Sequence, residues 1–434
     1  MINHNLPTTW RRIKLKFLSR IRYGLGQPPA EMDGGLPLLR ATNIDHGRIV
    51  AEGMIYVNPA AVPPDRNAFL RCDEILVVRS GAYTGDSAIV PTEYEGAVAG
   101  YDMVVHVVGA IPKYIAYGLL SIPVLKHQID LCRMRAAQPH LNAKDLGDCL
   151  FAVPPLHEQL AIATFLDRKT DEIDAVIAKK ERLIALLHEE RQALISRAVT
   201  RGLDASVAMK DSGVEWLGSV PRHWAVERLK FCMRKIEQGW SPQCENRQAE
   251  LGEWGVLKVG CMNMGVYDES ENKALPPLLE PELALEVRVG DVLMSRSNTV
   301  ELVGMGGIAH RTQERILLCD KLYRIVFDTD RLRPDYAVYL LRSRPTRLQI
   351  ERDATGASSS MKNISNDTVR NLLFGIPPIE EQDRLIAHIR QSWDRIEQAH
   401  AAVQLQITKL CEYRQALISA AVTGKIAVPQ EVAT

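Results

Sequence analysis

The chain has 434 residues, 46% of them apolar and 24% charged, with 53 basic and 53 acidic side chains. This is ordinary globular composition with length for two to four domains, and it excludes collagen-like, low-complexity and wholly disordered chains. Charge neutrality argues against coating nucleic acid through bulk charge, while leaving a local basic surface open. No apolar run approaches the ~18–20 residues of a membrane helix, and Met1 to Phe17 lacks the apolar core of a signal peptide. A cytoplasmic protein without membrane contact is expected. The eight cysteines are scattered, with no Cys-x-x-Cys pair, and read as reduced thiols.

In chain order, the first region mixes strand and helix. Asp73 to Val78 and Tyr101 to Val108 are apolar, β-branched runs bounded by glycine and predict strands. Tyr114 to Gln128 predicts a helix. Pro154-Pro155 cannot continue a helix, and Glu158 then falls in the first turn of a new one, where a carboxylate suits the dipole. Neither Pro nor Gly interrupts 156–201. Apolar positions step by four and three through Ile173, Ile177, Ile184, Leu187, Leu194 and Ala198, a coiled-coil seam that also carries Lys180 and Arg191. A straight helix of about 43 residues spans roughly 65 Å. The next region returns to strands at Gly255 to Val259, Gly290 to Met294 and Leu322 to Phe327, with a helix over Asp335 to Glu351. Pro377-Pro378 then open a second long helix, with its seam at Ile396, Val403, Ile407, Leu410, Leu417 and Ala421, and with His400 and Arg414 on it.

The two halves are a duplication. RQALISRAVT at 191–200 matches RQALISAAVT at 414–423, and the same offset of 223 aligns PPLHEQ at 154–159 with PPIEEQ at 377–382. Between these anchors 19 of 47 ungapped pairs are identical. Looser matches extend upstream: Pro7 and Trp10 then Leu15-Lys16-Phe17 match Pro221 and Trp224 then Leu229-Lys230-Phe231. Glu74-Ile75-Leu76 then Arg79-Ser80 matches Asp291-Val292-Leu293 then Arg296-Ser297, and Pro112-Lys113-Tyr114 matches Pro334-Asp335-Tyr336. A period near 220 is too long for a solenoid. Each long helix needs a partner, and antiparallel pairing avoids a second crossing of the helix length between 201 and 377. The expected fold class is α+β: two similar mixed α/β domains, 1–153 and 211–376, joined by a pair of long antiparallel coiled-coil helices, 154–210 and 377–434, about a pseudo-twofold axis. A twisted, partly barrel-like sheet is expected in each domain.

Enzyme motifs are missing. Gly304-Met305-Gly306-Gly307 lacks the strand–turn–helix context of a dinucleotide site and reads as a turn or bulge. The chain has no phosphate-loop motif, no Asn/Asp-Pro-Pro-Tyr/Phe of an amine methyltransferase, no His-Glu-x-x-His and no Gly-x-Ser-x-Gly. No catalytic residue and no metal site is expected.

Three motifs then carry a resemblance: Asp211-Ser212-Gly213-Val214-Glu215-Trp216-Leu217-Gly218-Ser219-Val220-Pro221-Arg222-His223-Trp224, the two Pro-Pro-Leu/Ile-x-Glu-Gln segments, and the two Arg-Gln-Ala-Leu-Ile-Ser segments with Ala-Val-Thr after them. The sequence resembles the DNA-specificity (S) subunits of type I restriction-modification systems over nearly its whole length. The first copy departs at its start, with Thr8-Thr9-Trp10 where the second has Arg222-His223-Trp224. The resemblance implies two target-recognition domains, each reading half of a bipartite site in double-stranded DNA. It implies helices that act as a spacer and dock methyltransferase (M) subunits, two per chain if the repeat is a repeat of docking surfaces, and restriction (R) subunits in the same assembly. S-adenosylmethionine, ATP and Mg are then expected on the partner subunits, and no cofactor on this chain.

Candidate base-reading residues lie in polar loops where Arg, Asn and Gln suit purine edges. They are Arg79, Ser80, Tyr83 and Thr84; their counterparts Arg296, Ser297 and Asn298; Gln138, His140 and Asn142; and Ser359, Lys362 and Asn363. Two basic clusters, Arg11, Arg12, Lys14, Lys16, Arg20 and Arg22, and Arg331, Arg333, Arg342, Arg344, Arg347 and Arg352, are candidates for phosphate contact or for a solvated face. Candidate docking residues are Glu158 and Gln159 with Arg414 and Gln415, and Glu381 and Gln382 with Arg191 and Gln192. Two rival classes stay open here: a coiled-coil scaffold without a nucleic-acid role, and a fused methyltransferase or nuclease with unrecognised motifs.

Overall fold

The computed structural model describes residues 6–133, 140–263, 265–358 and 361–429. The chain divides into two compact units, Met1–Glu181 with Val403–Thr434, and Arg182–Ala402. Each is mixed α/β and holds part of both long helices, Leu156–Arg201 and Ile379–Val422.

The first unit is built on a four-stranded antiparallel sheet in the order Ser19–Tyr23, Met103–Val107, Ile75–Val77, Ser87–Ile89. Successive side chains of a strand point to opposite faces. Ile75 and Val77 therefore enter a core with Tyr114, Ile115 and Leu119 of the helix Pro112–Leu120, while Leu76 and Val78 enter another with Leu39 and Val104. Both faces are covered, which is why this strand reads as an uninterrupted apolar run. The second unit repeats the order with Met233–Gln238, Leu322–Phe327, Val292–Ser295 and Gly306–Ile308. Val292 and Met294 face the helices, and Leu293 faces the other core. The segment read as a turn or bulge supplies the last of these strands: Gly304 turns with φ +77°, and a Cβ on Gly307 would fall 2.4 Å from the Met262 side chain.

The predicted helices over 114–128 and 335–351 are each broken. Pro112–Leu120 ends at Ser121 and Pro334–Arg342 ends at Ser343, both with extended backbone. Pro123 and Pro345 explain the breaks, since a proline has no N–H to give and its ring would meet the carbonyl four residues earlier. In both units the serine hydroxyl closes the end, on Gly118 O at 2.6 Å and on Leu340 O at 2.7 Å.

The same joint ties each domain to its long helix. The Gln159 amide accepts from Ile111 N (2.8 Å) and donates to Pro154 O (2.8 Å); the Gln382 amide accepts from Arg333 N (2.9 Å) and donates to Pro377 O (2.9 Å). Trp10 Nε1 donates to Glu158, and Trp224 Nε1 to Glu381. The returning helix is held as alike: Ser419 accepts from Ile122 N (2.9 Å), and Ser196 accepts from Arg344 N (3.1 Å). The duplication is thus visible hydrogen bond by hydrogen bond.

Within each unit the two helix segments run antiparallel. In the first, Arg414 pairs with Asp174 and Lys180 donates to Gln406; in the second, Arg191 pairs with Glu397 and the His188 ring stands 5.4 Å from that of His400. The predicted seam is buried at Ile173, Ala198, Val403, Ile407 and Ala421, and half-buried at its other positions. One matched ion pair has its charges exchanged: Lys113 to Asp167 (2.6 Å) in the first unit, Asp335 to Arg390 (2.6 Å) in the second.

Gln382→Ala leaves the buried Arg333 N–H and Pro377 C=O without partners and is expected to destabilise the second unit by about 1–3 kcal/mol. Hydrogen exchange of the Arg333 amide checks this, with faster exchange expected in the variant and unchanged exchange at Ile111.

Candidate nucleic-acid interface

Both units bring their two candidate loops together by one device. In the first, Ser80 and His140 form an antiparallel bridge, and Leu141 N donates to Arg79 O at 2.8 Å. In the second, Ser297 pairs with Asn363 and Asn298 with Lys362, and Ile364 N donates to Arg296 O at 3.0 Å. Thr355–Ser358 adds a third strand there. Gln138 and Ser359 lie outside the described residues.

Not every candidate side chain is free to read a base. Asn142 caps the short helix Ala143–Gly147, its Oδ1 accepting from Asp145 N. Thr84 and Ser297 are buried, on Gly81 O and against Met361 Sδ respectively. These three serve the local fold. Tyr83, 55% exposed, stands at the loop tip. The Lys362 ammonium donates to Gly356 O, Arg296 reaches Asp320 O, and the Asn298 amide donates to Asn263.

Arg79 sits in a cluster that sequence reasoning missed. Its guanidinium lies 4.1 Å from the Tyr101 ring centroid and 4.7 Å from that of Tyr23, and its Nε is buried without a partner. Both rings are partly exposed. Its backbone N donates to Asp102, which is 3% exposed. Burial pushes the Asp102 carboxyl up to about 6, against the opposing pull of the Arg79 backbone N–H and of the Arg79 charge. The rings fix the guanidinium plane, as base recognition through paired hydrogen bonds requires. The spacing of Tyr23, Arg79 and Tyr101 in the sequence gives no signal of it. The second copy has no matching tyrosine pair to reveal it.

The basic clusters are largely engaged within the chain. Lys14 and Lys16 share Asp148, and Arg22 pairs with Glu74. Arg331, Arg333 and Arg352 pair with Glu227, Asp383 and Asp353, while Arg347 is buried on the carbonyls of Val300 and Val303. Of the docking candidates, Gln159 and Gln382 are 2% and 0% exposed and hold the helix joints, so their side chains offer no surface to a partner. Glu158 accepts from Trp10, and Glu381 from Trp224 and His223. Arg414 pairs with Asp174, and Gln415 donates to Leu120 O. Arg191 stacks on Trp393, and Gln192 is exposed beside it. All eight cysteines are free thiols. Among the described residues no group of three His, Cys, Asp or Glu stands together as metal ligands, and no helix is long and apolar enough to cross a membrane.

The raised Asp102 carboxyl fixes the sign of a pH effect. A carboxyl raised in the folded state contributes its stability below its unfolded value near 4, and that contribution is lost as pH rises through about 6. Asp102→Asn is therefore expected to raise the urea midpoint at pH 8 and to leave it nearly unchanged at pH 4. Denaturation curves at the two pH values check this.

No protein-family profile matches the chain. It is 23% identical over 406 residues to the EcoKI type I restriction enzyme specificity subunit of Escherichia coli K12, covering 91% of this chain and 83% of that one. It is 24% identical over 438 residues to the putative type I restriction enzyme MjaX specificity subunit of Methanocaldococcus jannaschii, covering 98% and 95%. A solved chain from "Structural basis underlying complex assembly and conformational transition of the type I R-M system" superposes with a TM-score of 0.69 at 17% identity, over 98% of this chain and all of that one, and shares the fold. With the repeated joints and the end-to-end alignments, these similarities make the chain a homologue of the type I restriction enzyme specificity subunits.

Proposed function

We propose that the chain is the DNA-recognition and assembly subunit of a type I restriction-modification complex, without a catalytic site of its own. The observation that carries this is the duplication. Two domains with the same sheet order and the same helix joints differ in the loops that each joins through one bridge, Ser80 to His140 and Ser297 to Asn363. A repeated frame with divergent polar loops suits two reading heads of different specificity on one duplex. The alignments to specificity subunits along nearly the whole chain support the same reading.

In this reading the two domains are target-recognition domains, and the long helices form an antiparallel coiled-coil spacer with a pseudo-twofold axis. Such a spacer offers related surfaces twice, which suits two methyltransferase subunits per chain, with restriction subunits in the full complex. Adenine inside a duplex must be flipped out for methylation, so each methyltransferase would sit close to the bases its neighbouring domain reads. S-adenosylmethionine, ATP and Mg belong to those partners.

Exchanging 1–150 for the corresponding part of a relative is expected to change one half of the methylated motif. Exchanging 211–373 is expected to change the other half. Sequencing the methylated sites made by each chimera with the modification subunits checks this, and a swap that altered both halves would end the modular reading.

A further inference from the structure

The wall where the returning long helix meets the broken helix pair differs in charge between the two units. In the first unit the groove there is balanced, with Arg48, Lys113 and Arg414 against Asp73, Asp167 and Asp171, and with Arg414 paired to Asp174. In the second unit the wall is basic. A groove of about 680 Å³ is lined by Arg191, Arg342, Arg344 and Arg347, with Glu301 at its edge. Glu397 pairs with Arg191 at 3.1 Å, leaving four guanidinium groups against two carboxylates. Position by position the change is substantive: Trp393 stands where the first copy has Thr170, Arg342 where it has Leu120, and Arg344 where it has Ile122.

These arginines are held without full neutralisation. Arg191 stacks with its guanidinium carbon 3.4 Å from the Trp393 ring centroid, and its Nε is buried without a partner. Arg342 donates to Gly306 O and has no carboxylate in ion-pair contact among the described residues. Burial, and then the positive Arg191 beside it, push its guanidinium down to about 10. Arg344 is exposed at the first residue of its helix, with its backbone fixed on Ser196. An anion in this groove relieves like-charge repulsion already present in the fold.

Position selects the anion. The groove extends to Asn263, whose Oδ1 accepts from the Asn298 amide, a candidate base-reading side chain. Arg347, in the groove wall, holds the carbonyls of Val300 and Val303, in the loop that follows Asn298. A groove lined by guanidinium groups that reaches a base-reading strand suits phosphate oxygens beside a recognised half-site.

We propose that the arginine groove of the second unit, through Arg344 and Arg191, binds the DNA phosphate backbone beside that unit's half-site, and that the first unit has no equivalent clamp. This rests on the DNA-recognition reading, and it assigns Arg191 to DNA rather than to a partner subunit. The two half-sites are then held unequally, the second by more charge.

The test uses the complete complex of this chain with its modification subunits. Affinity for a duplex carrying the methylated site, and for a scrambled duplex, is measured between 50 and 200 mM salt for the parent, Arg344→Gln and, as a control in the first unit, Arg48→Gln. Each lost phosphate contact lowers the slope of log affinity against log salt by about 0.9, an affinity loss of about eightfold near 0.1 M. Arg344→Gln is expected to show that drop on both duplexes, with the methylated motif unchanged and Arg48→Gln like the parent. Adding Arg191→Gln is expected to lower the slope further. An unchanged slope in the double variant, with the parent still preferring its own site, would overturn the groove and leave the recognition reading intact. Loss of a modification subunit from the variant complex at an unchanged slope would assign the groove to a protein partner instead. A parent complex that bound both duplexes equally would overturn the recognition reading itself.

Discussion

Each domain is fastened to its long helix by a buried glutamine. Gln159 and Gln382 sit one turn into their helices, where a backbone N–H from the start of the domain's own helix and a carbonyl from the preceding proline pair would otherwise be sealed from water without partners. An unsatisfied buried polar group costs more than a formed hydrogen bond returns, so this joint tolerates little change. It fixes the direction in which the helix leaves the domain. The other helix then returns onto the same core through Ile418, Ala421 and Val422 in the first unit, and through Ile195, Ala198 and Val199 in the second.

That constraint also explains what the sequence makes legible. The joint residues fall in the most similar stretches of the two copies, so the repeat, the helix starts and the seam could be read directly. The same similarity was misread as a docking surface at Gln159 and Gln382, because a residue repeated for burial and one repeated for a partner look alike in a single chain. The strand runs were legible because both faces of each central strand are covered. The breaks at Ser121 and Ser343 were signalled by Pro123 and Pro345 inside the predicted helices.

The interface was legible only in outline. Loops that the repeat placed in correspondence do come together, Ser80 with His140 and Ser297 with Asn363, since pairing the loops is part of the shared frame. Which side chains remain free depends on contacts that sequence spacing does not encode. Asn142 became a helix cap and Thr84 closed its own turn, whereas Tyr23, at the end of a distant strand, and Tyr101, ahead of another, came to flank Arg79. The basic clusters divide for a related reason: Lys14, Lys16, Arg22, Arg331 and Arg333 are matched by carboxylates far away in the chain, such as Asp148 and Glu227, whereas Arg342 and Arg344 are not.

A frame kept by buried hydrogen bonds leaves its surface free to diverge, as the exchanged ion pairs Lys113–Asp167 and Asp335–Arg390 illustrate. In the proposed reading, two such surfaces on one chain meet one duplex at two places and read different bases at each. The most direct measurement is the methylated sequence in genomic DNA from cells carrying this chain with its modification subunits, compared with cells lacking the chain. The account predicts one bipartite motif, two specified segments separated by a fixed number of unspecified bases, with a methylated adenine in each. A single uninterrupted motif, or methylation that does not depend on the chain, would contradict it.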